Sequence, residues 1–254
     1  MKHVPNFITL LNLFFGCLAI VFALQTDAII IYSNDNISST FNIPERLVWA
    51  SICIGIAAVI DFLDGFAARL FNASSSLGKQ LDSLSDVVSF GVAPSVIMYQ
   101  LLRFSYAREE KGLEISILFL LPAFLIACCS AYRLAKFNMD ESQSVNFKGV
   151  PTPAIGLLIA SFPLILHYGN SSLNISAILL SKWILYALII ILSGLMISNI
   201  PVMGLKFSNY KLKDNLPKVI LVGVSIAAAI LLHWLAVPAV FLCYILLSLI
   251  YKPT

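Results

Sequence analysis

Charge is what this sequence has least of. Asp, Glu, Lys and Arg make up 11% of its 254 residues, against about 25% in an ordinary soluble domain. A chain so poorly charged, 59% hydrophobic and with a mean hydropathy of +0.92, cannot keep a solvated surface all round. Histidine is scarce as well: His3, His167 and His233 fall near the ends of apolar runs, where an interfacial role suffices. The five cysteines (Cys17, Cys53, Cys128, Cys129 and Cys243) lie inside apolar runs, with neither metal-ligand nor dithiol spacing. They read as small packing residues, which excludes a zinc or redox motif built on them. There is no internal repeat and no low-complexity tract, and the net charge of +3 is too thinly spread for a nucleic-acid partner.

What the chain does have is apolar runs of roughly 17–25 residues, the length a helix needs to cross a bilayer. Eight segments emerge, at about 7–24, 46–70, 80–102, 113–135, 151–168, 177–197, 216–232 and 235–251. The predicted fold class is all-α, a polytopic transmembrane helix bundle of about eight helices. The first run has a thin basic flank and no small-residue cleavage site after it, so it reads as a membrane helix rather than a secretion signal. Leu216 to Tyr251 is nearly continuous and is divided around His233 to Pro238.

Eight spans put both termini on one side of the membrane. The positive-inside rule makes that side cytoplasmic. Eleven of the sixteen Lys and Arg then face inward, leaving Arg46, Arg103, Arg108, Lys111 and Lys182 outside. The basic inner rim suits an anionic lipid surface.

Against this background, four aspartates in the 26 residues from Asp61 to Asp86 stand out. A carboxylate at the centre of a membrane helix costs roughly 2.5–3.5 kcal/mol, and such residues are functional candidates by default. Helical spacing puts Asp61, Asp64, Gly65 and Ala68 in one arc of the second helix, with Arg69 just beyond it. On the third helix Gly78, Asp82 and Asp86 recur at i, i+4 and i+8 and share a stripe. A tight turn between the two helices would bring these stripes face to face as a four-carboxylate pocket near the cytoplasmic ends. Two Mg²⁺ or Mn²⁺ ions would balance its charge, since hard divalent ions prefer oxygen donors. Two-metal sites serve in-line phosphoryl displacement, and small residues leave room for a nucleotide or diphosphate against the backbone. Pairing of the aspartates with Arg69, Lys79 or Arg133 is the structural alternative, but too few cations lie nearby to pair all four.

The order Asp-x2-Asp-Gly-x2-Ala-Arg-x8-Gly-x3-Asp-x3-Asp, from Asp61 to Asp86, resembles the signature of the CDP-alcohol phosphatidyltransferases. Around it, PNFITLLN (Pro5–Asn12), SFGVAPS (Ser89–Ser95), YRLAKFN (Tyr132–Asn138), FKGVPTPA (Phe147–Ala154) and LMISNIP (Leu195–Pro201) resemble the phosphatidylserine synthase branch. The resemblance implies a six-helix catalytic membrane core over 1–205, with 206–254 as additional C-terminal helices. It implies metal ligation by Asp61, Asp64 and Asp82, with Asp86 touching a metal and acting as general base on the acceptor alcohol. Asn6, Thr9, Gly65, Ala68, Arg69 and Gly78 would contact CDP-diacylglycerol. Arg133 and Lys148, chosen by charge and placement, are candidates for gripping phosphate or the serine carboxylate; a purely topological role as inner-side cations is the alternative. The implied reaction transfers the phosphatidyl group from CDP-diacylglycerol to L-serine, giving phosphatidylserine and CMP. A homodimer in a prokaryotic plasma membrane, with the site facing the cytoplasm, is expected.

Three other readings stay open at this level. The acceptor could be glycerol 3-phosphate, inositol or another alcohol, because the eight-residue signature is blind to it. The aspartates could serve a cation-coupled transporter, although paired repeats and broken midplane helices are missing. A purely structural membrane protein is the third.

Overall fold

The computed structural model describes residues 4–25, 44–70, 75–108, 115–139, 147–169, 175–204 and 215–251; the side chains of 4, 68–70, 147 and 148 lie outside that description. The longest elements are α1 (Val4–Leu24), α2 (Glu45–Leu70) and a rod made of α3 (Ser76–Asp86), a π-helical turn (Val87–Val92) and α4 (Ala93–Ala107). Two 3₁₀ turns (Ile117–Phe119 and Leu121–Phe124) lead into α5 (Leu125–Met139). Then come α6 (Thr152–Tyr168), the short α7 (Ile175–Leu179), α8 (Lys182–Ile197), α9 (Leu216–Leu232) and α10 (Ala236–Ile250). The eight expected helices are present. Sequence reading did not foresee a small antiparallel ribbon of β1 (Phe147–Lys148) and β2 (Pro201–Val202), which pairs Phe147 with Val202 and Lys148 with Pro201.

Among the described residues, five stretches are long and apolar enough to cross a membrane: Pro5–Leu24, Glu45–Ala67, Ser76–Ala107, Ile117–Met139 and Leu216–Ile250. The last is one apolar run but two helices. His233 breaks it by taking φ 49°, a region uncommon for residues with a side chain, and a 3₁₀ turn over His233–Leu235 reverses the chain. Tyr168 at the end of α6 stacks on Trp234 of that turn, with ring centroids 6.1 Å apart. Helices α6 and α8 are also apolar but shorter, at 17 and 16 residues.

The α3–α4 rod is the axis of the bundle. Phe90, Ile97, Met98, Leu101 and Leu102 on it are completely buried. Three consecutive residues of the π-helical turn each meet a glycine or serine of another helix. A methyl on Gly16 of α1 would lie 2.9 Å from Ser89 Cα, one on Gly91 would lie 2.8 Å from Ser130 Oγ of α5, and one on Gly156 of α6 would lie 2.9 Å from Phe90 Cβ. In lipid, helix association rests on close van der Waals packing and interhelical hydrogen bonds, which small residues permit. Hydrogen bonds fix the register: Ser85 Oγ donates to the Thr9 carbonyl (3.2 Å), Ser89 Oγ to the Asn12 carbonyl (3.0 Å) and Gln100 Nε2 to the Ala23 carbonyl (2.8 Å). Thus α1 is laced along the rod from one end to the other, and the rod's N-terminal end carries the acidic stripe.

Candidate active site

The carboxylates of Asp61, Asp82 and Asp86 converge, each offering an oxygen within 4.8 Å of the others. Asp61 comes from the last third of α2, Asp82 and Asp86 from successive turns of α3. Ser75 caps the start of α3, its Oγ accepting from the Gly78 N–H at 3.0 Å, which satisfies one of the free amides of the first turn. Asp61 and Asp82 are half-buried and within hydrogen-bonding reach of each other, whereas Asp86 is only 8% exposed.

Asp64 stands a little apart. It is buried, accepts a short hydrogen bond from Thr9 Oγ1, and still lies close enough to Asp61 and Asp82 to repel both. Thr9 Oγ1 also approaches the Pro5 carbonyl at 3.1 Å. One turn along α1, Asn12 Nδ2 donates to Asp86 Oδ1 at 3.4 Å. Asn12 is 1% exposed and its own Oδ1 has no partner among the described residues. Two donors three residues apart on α1 therefore serve two different aspartates. Sequence reading gave Thr9 a nucleotide contact and overlooked Asn12, although the i, i+3 spacing within PNFITLLN could have paired them.

Of the other sequence-predicted residues, Gly65 faces open space, with nothing within 4 Å of where a methyl would sit. Gly78 is tighter: a methyl there would lie 3.2 Å from Asn6 Oδ1 and 3.1 Å from Ser75 Oγ. Asn6 and Gly78 are thus neighbours across the α1–α3 contact. The backbone at Ala68 and Arg69 continues α2, but their side chains, like that of Lys148, lie outside the described residues.

Among the described residues, the one cation acting on the carboxylate group is Arg133 of α5, whose charge acts on Asp86. Arg133 is 8% exposed and its Nε has no acceptor among the described residues. It lines a small pocket together with Tyr132, Lys136 and Phe137 of α5, Met196 and Ile197 of α8, and Ser198. Two further bonds fix this end of α5: Asn138 Nδ2 donates to Ser83 Oγ at 2.8 Å, and Lys136 Nζ to Asn199 Oδ1 at 3.4 Å.

Three hard oxygen donors with one opposing guanidinium suit a divalent cation. Asp61, Asp82 and Asp86 would hold such an ion between them, each offering an oxygen within 4.8 Å of the others. An all-oxygen donor set with open space at Gly65 fits an ion that also binds phosphate oxygens. With a divalent ion bound, the cluster would offer a place for phosphate oxygens, and Arg133 a cation beside it.

A bundle of membrane helices carrying such a site suits either cation binding or metal-assisted phosphoryl transfer, and the family decides between them. The sequence model of the family described as CDP-alcohol phosphatidyltransferase matches residues 2–198, and the chain belongs to that family. It is 34% identical over 179 residues to the CDP-diacylglycerol–serine O-phosphatidyltransferase of Bacillus subtilis, covering 68% of this chain and 85% of that protein. The Helicobacter pylori protein of the same name is 32% identical over 222 residues, covering 86% and 77%. An archaetidylserine synthase of Methanothermobacter thermautotrophicus is 35% identical over 142 residues, covering 55% and 57%.

Proposed function

We propose that this chain transfers the phosphatidyl group of CDP-diacylglycerol to L-serine, releasing CMP. The observation that carries this reading is the convergence of Asp61, Asp82 and Asp86, with Asp86 the most enclosed and held by Asn12. The names of the relatives favour serine as acceptor.

In this reading Asp61, Asp64, Asp82 and Asp86 hold one or two Mg²⁺ or Mn²⁺ ions. Such ions, when bound, neutralise the pyrophosphate and stabilise the charge that builds on the leaving phosphate. Asn6, Thr9, Gly65, Ala68, Arg69 and Gly78 border the cytidine diphosphate end of the lipid. The serine hydroxyl gives its proton to the second oxygen of Asp86, the one Asn12 leaves free. Its oxygen attacks the phosphorus that carries diacylglycerol; the new O–P bond forms as the anhydride bond to CMP breaks. CMP departs as a phosphate anion. A buried carboxylate with like-charged neighbours is better suited to this proton transfer than one in water. Arg133 receives the serine carboxylate, with Lys148 as a second cation.

The acyl chains stay in the bilayer while serine and CMP exchange with water at the cytoplasmic face, the side that charge distribution assigns to the aspartates. We further infer a prokaryotic plasma membrane location, a homodimer, a catalytic core over 1–205 and an appended helix pair over 206–254; the extent of the family match supports that division. The test is CMP release by purified protein with CDP-diacylglycerol and Mn²⁺ or Mg²⁺, offering L-serine, glycerol 3-phosphate or myo-inositol. Release with serine alone is expected. Release only with another alcohol would overturn the acceptor and leave the phosphotransfer chemistry standing.

A further inference from the structure

The C-terminal end of α8 and the residue after it form one wall of the Arg133 pocket, through Met196, Ile197 and Ser198. Residues 147–150 hold this segment on one side. The Gly149 N–H donates to the Ile200 carbonyl at 2.9 Å and the Val150 N–H to the Leu195 carbonyl at 3.1 Å. Gly149 can approach so closely because it has no side chain: with φ 77°, a methyl there would sit 2.4 Å from the Met196 carbonyl oxygen.

The other side is held by α10, which lies beyond the family match. Tyr244 Oη donates to the Met203 carbonyl at 3.0 Å. Ser248 Oγ accepts from the Met203 N–H at 3.1 Å and donates to the Tyr244 carbonyl at 2.7 Å. Two side chains one helical turn apart thus satisfy both backbone polar groups of one connecting residue. Both are buried, and Tyr244 lies within electrostatic range of Arg133. A polar side chain in an otherwise apolar membrane helix must find a partner within the protein. Here both side chains bond Met203, a short way along the chain from Ser198, which lines the pocket.

We propose that α10 buttresses the acceptor pocket from outside, with Tyr244 and Ser248 as positioning residues that fix Met203 and, through it, the Met196–Asn199 stretch near Arg133 and Lys136. The proposal rests on the reading that Arg133 receives the serine carboxylate. It gives the C-terminal helices a part in substrate selection: with the wall fixed, an α-carboxylate meets a pocket already shaped around the Arg133 guanidinium.

The experiment measures Michaelis constants for serine and for CDP-diacylglycerol in the full-length protein bearing Tyr244→Phe, Ser248→Ala, both together, or Arg133→Gln. Tyr244→Phe keeps the ring and removes only the bond to Met203. It should raise the serine KM about five-fold, the worth of one buried hydrogen bond, with kcat and the lipid KM within about two-fold of the parent. Ser248→Ala should do the same, and the double variant should fall short of the product because both act on Met203. A lowered melting temperature with an unchanged serine KM, or equal losses for both substrates, would make α10 a bundle-closing helix and overturn the proposal. If Arg133→Gln raises the serine KM while the α10 variants do not, the acceptor reading survives and only the α10 proposal fails. If Arg133→Gln leaves the serine KM unchanged, the acceptor reading fails and takes the proposal with it. Should Tyr244→Phe not fold, Ser248→Ala decides the matter.

Discussion

Asn12 of α1 holds one oxygen of Asp86 on α3, its Nδ2 donating to Oδ1 at 3.4 Å from a position that is itself 1% exposed. The contact joins two helices whose backbones are already tied by Ser85 and Ser89. Asn12 is thereby placed against Asp86 Oδ1, and in the proposed mechanism the other oxygen takes the proton.

Removing that donor should leave Asp86 free to rotate and weaken proton transfer without changing what binds. Asn12→Ala is expected to lower kcat about 10–100-fold, the usual cost of losing a partner that orients a catalytic or metal-binding group. KM for CDP-diacylglycerol should stay within about two-fold, because the bond acts on orientation rather than binding. Steady-state CMP release over both substrate concentrations separates the two.

Metal dependence should follow the carboxylate grouping. Chelation should abolish turnover reversibly, with Mn²⁺ or Mg²⁺ restoring it. Asp61→Ala and Asp82→Ala each remove a member of the convergent trio and should raise the metal concentration for half activity by at least about ten-fold. Thr9→Val, which removes only the hydroxyl donating to Asp64, should have a smaller effect of the same sign. Activity titrated against Mn²⁺ gives the order.

Two glycines should respond in opposite ways. Gly156→Ala puts a methyl 2.9 Å from Phe90 Cβ and 3.1 Å from its carbonyl oxygen, where neither neighbour can yield. It should cost about 1–3 kcal/mol of stability, as overpacking usually does, seen as a lower melting temperature in detergent. Gly65→Leu enters open space and should leave the melting temperature unchanged. Its bulk should instead raise KM for CDP-diacylglycerol, the site it borders in our reading. Gly55→Ala, with nothing within 4 Å, is a neutral control for both.

The helices were legible in the sequence because run length and hydropathy are local properties. The break in the C-terminal run was legible too, since His233 and Pro238 interrupt an otherwise apolar stretch. The meeting of α2 and α3 through Asp61 and Asp82 followed from helical spacing, because stripes at i, i+4 and i+8 define a face before any partner is known. What spacing does not encode is which residue a distant helix presents. Asn12 beside Asp86, Asn138 on Ser83, and Tyr244 on Met203 join residues 41 to 74 positions apart. The π-helical turn was equally hidden, because VVSFGV reads as ordinary helix and its wider winding shows only where Gly16, Gly91 and Gly156 let neighbours close in. The ribbon of β1 and β2 has two residues per strand, too few for any alternation to register.

The most direct test of the account is Asp86→Asn, compared with the parent for serine-dependent CMP release and for CDP-diacylglycerol binding by the purified protein at saturating Mn²⁺. Loss of the general base should cut turnover by about 10²–10⁴-fold, while the lipid dissociation constant stays within a few-fold. Turnover and binding lost in equal measure would contradict a base role for Asp86 and reduce it to one more ligand of the cluster.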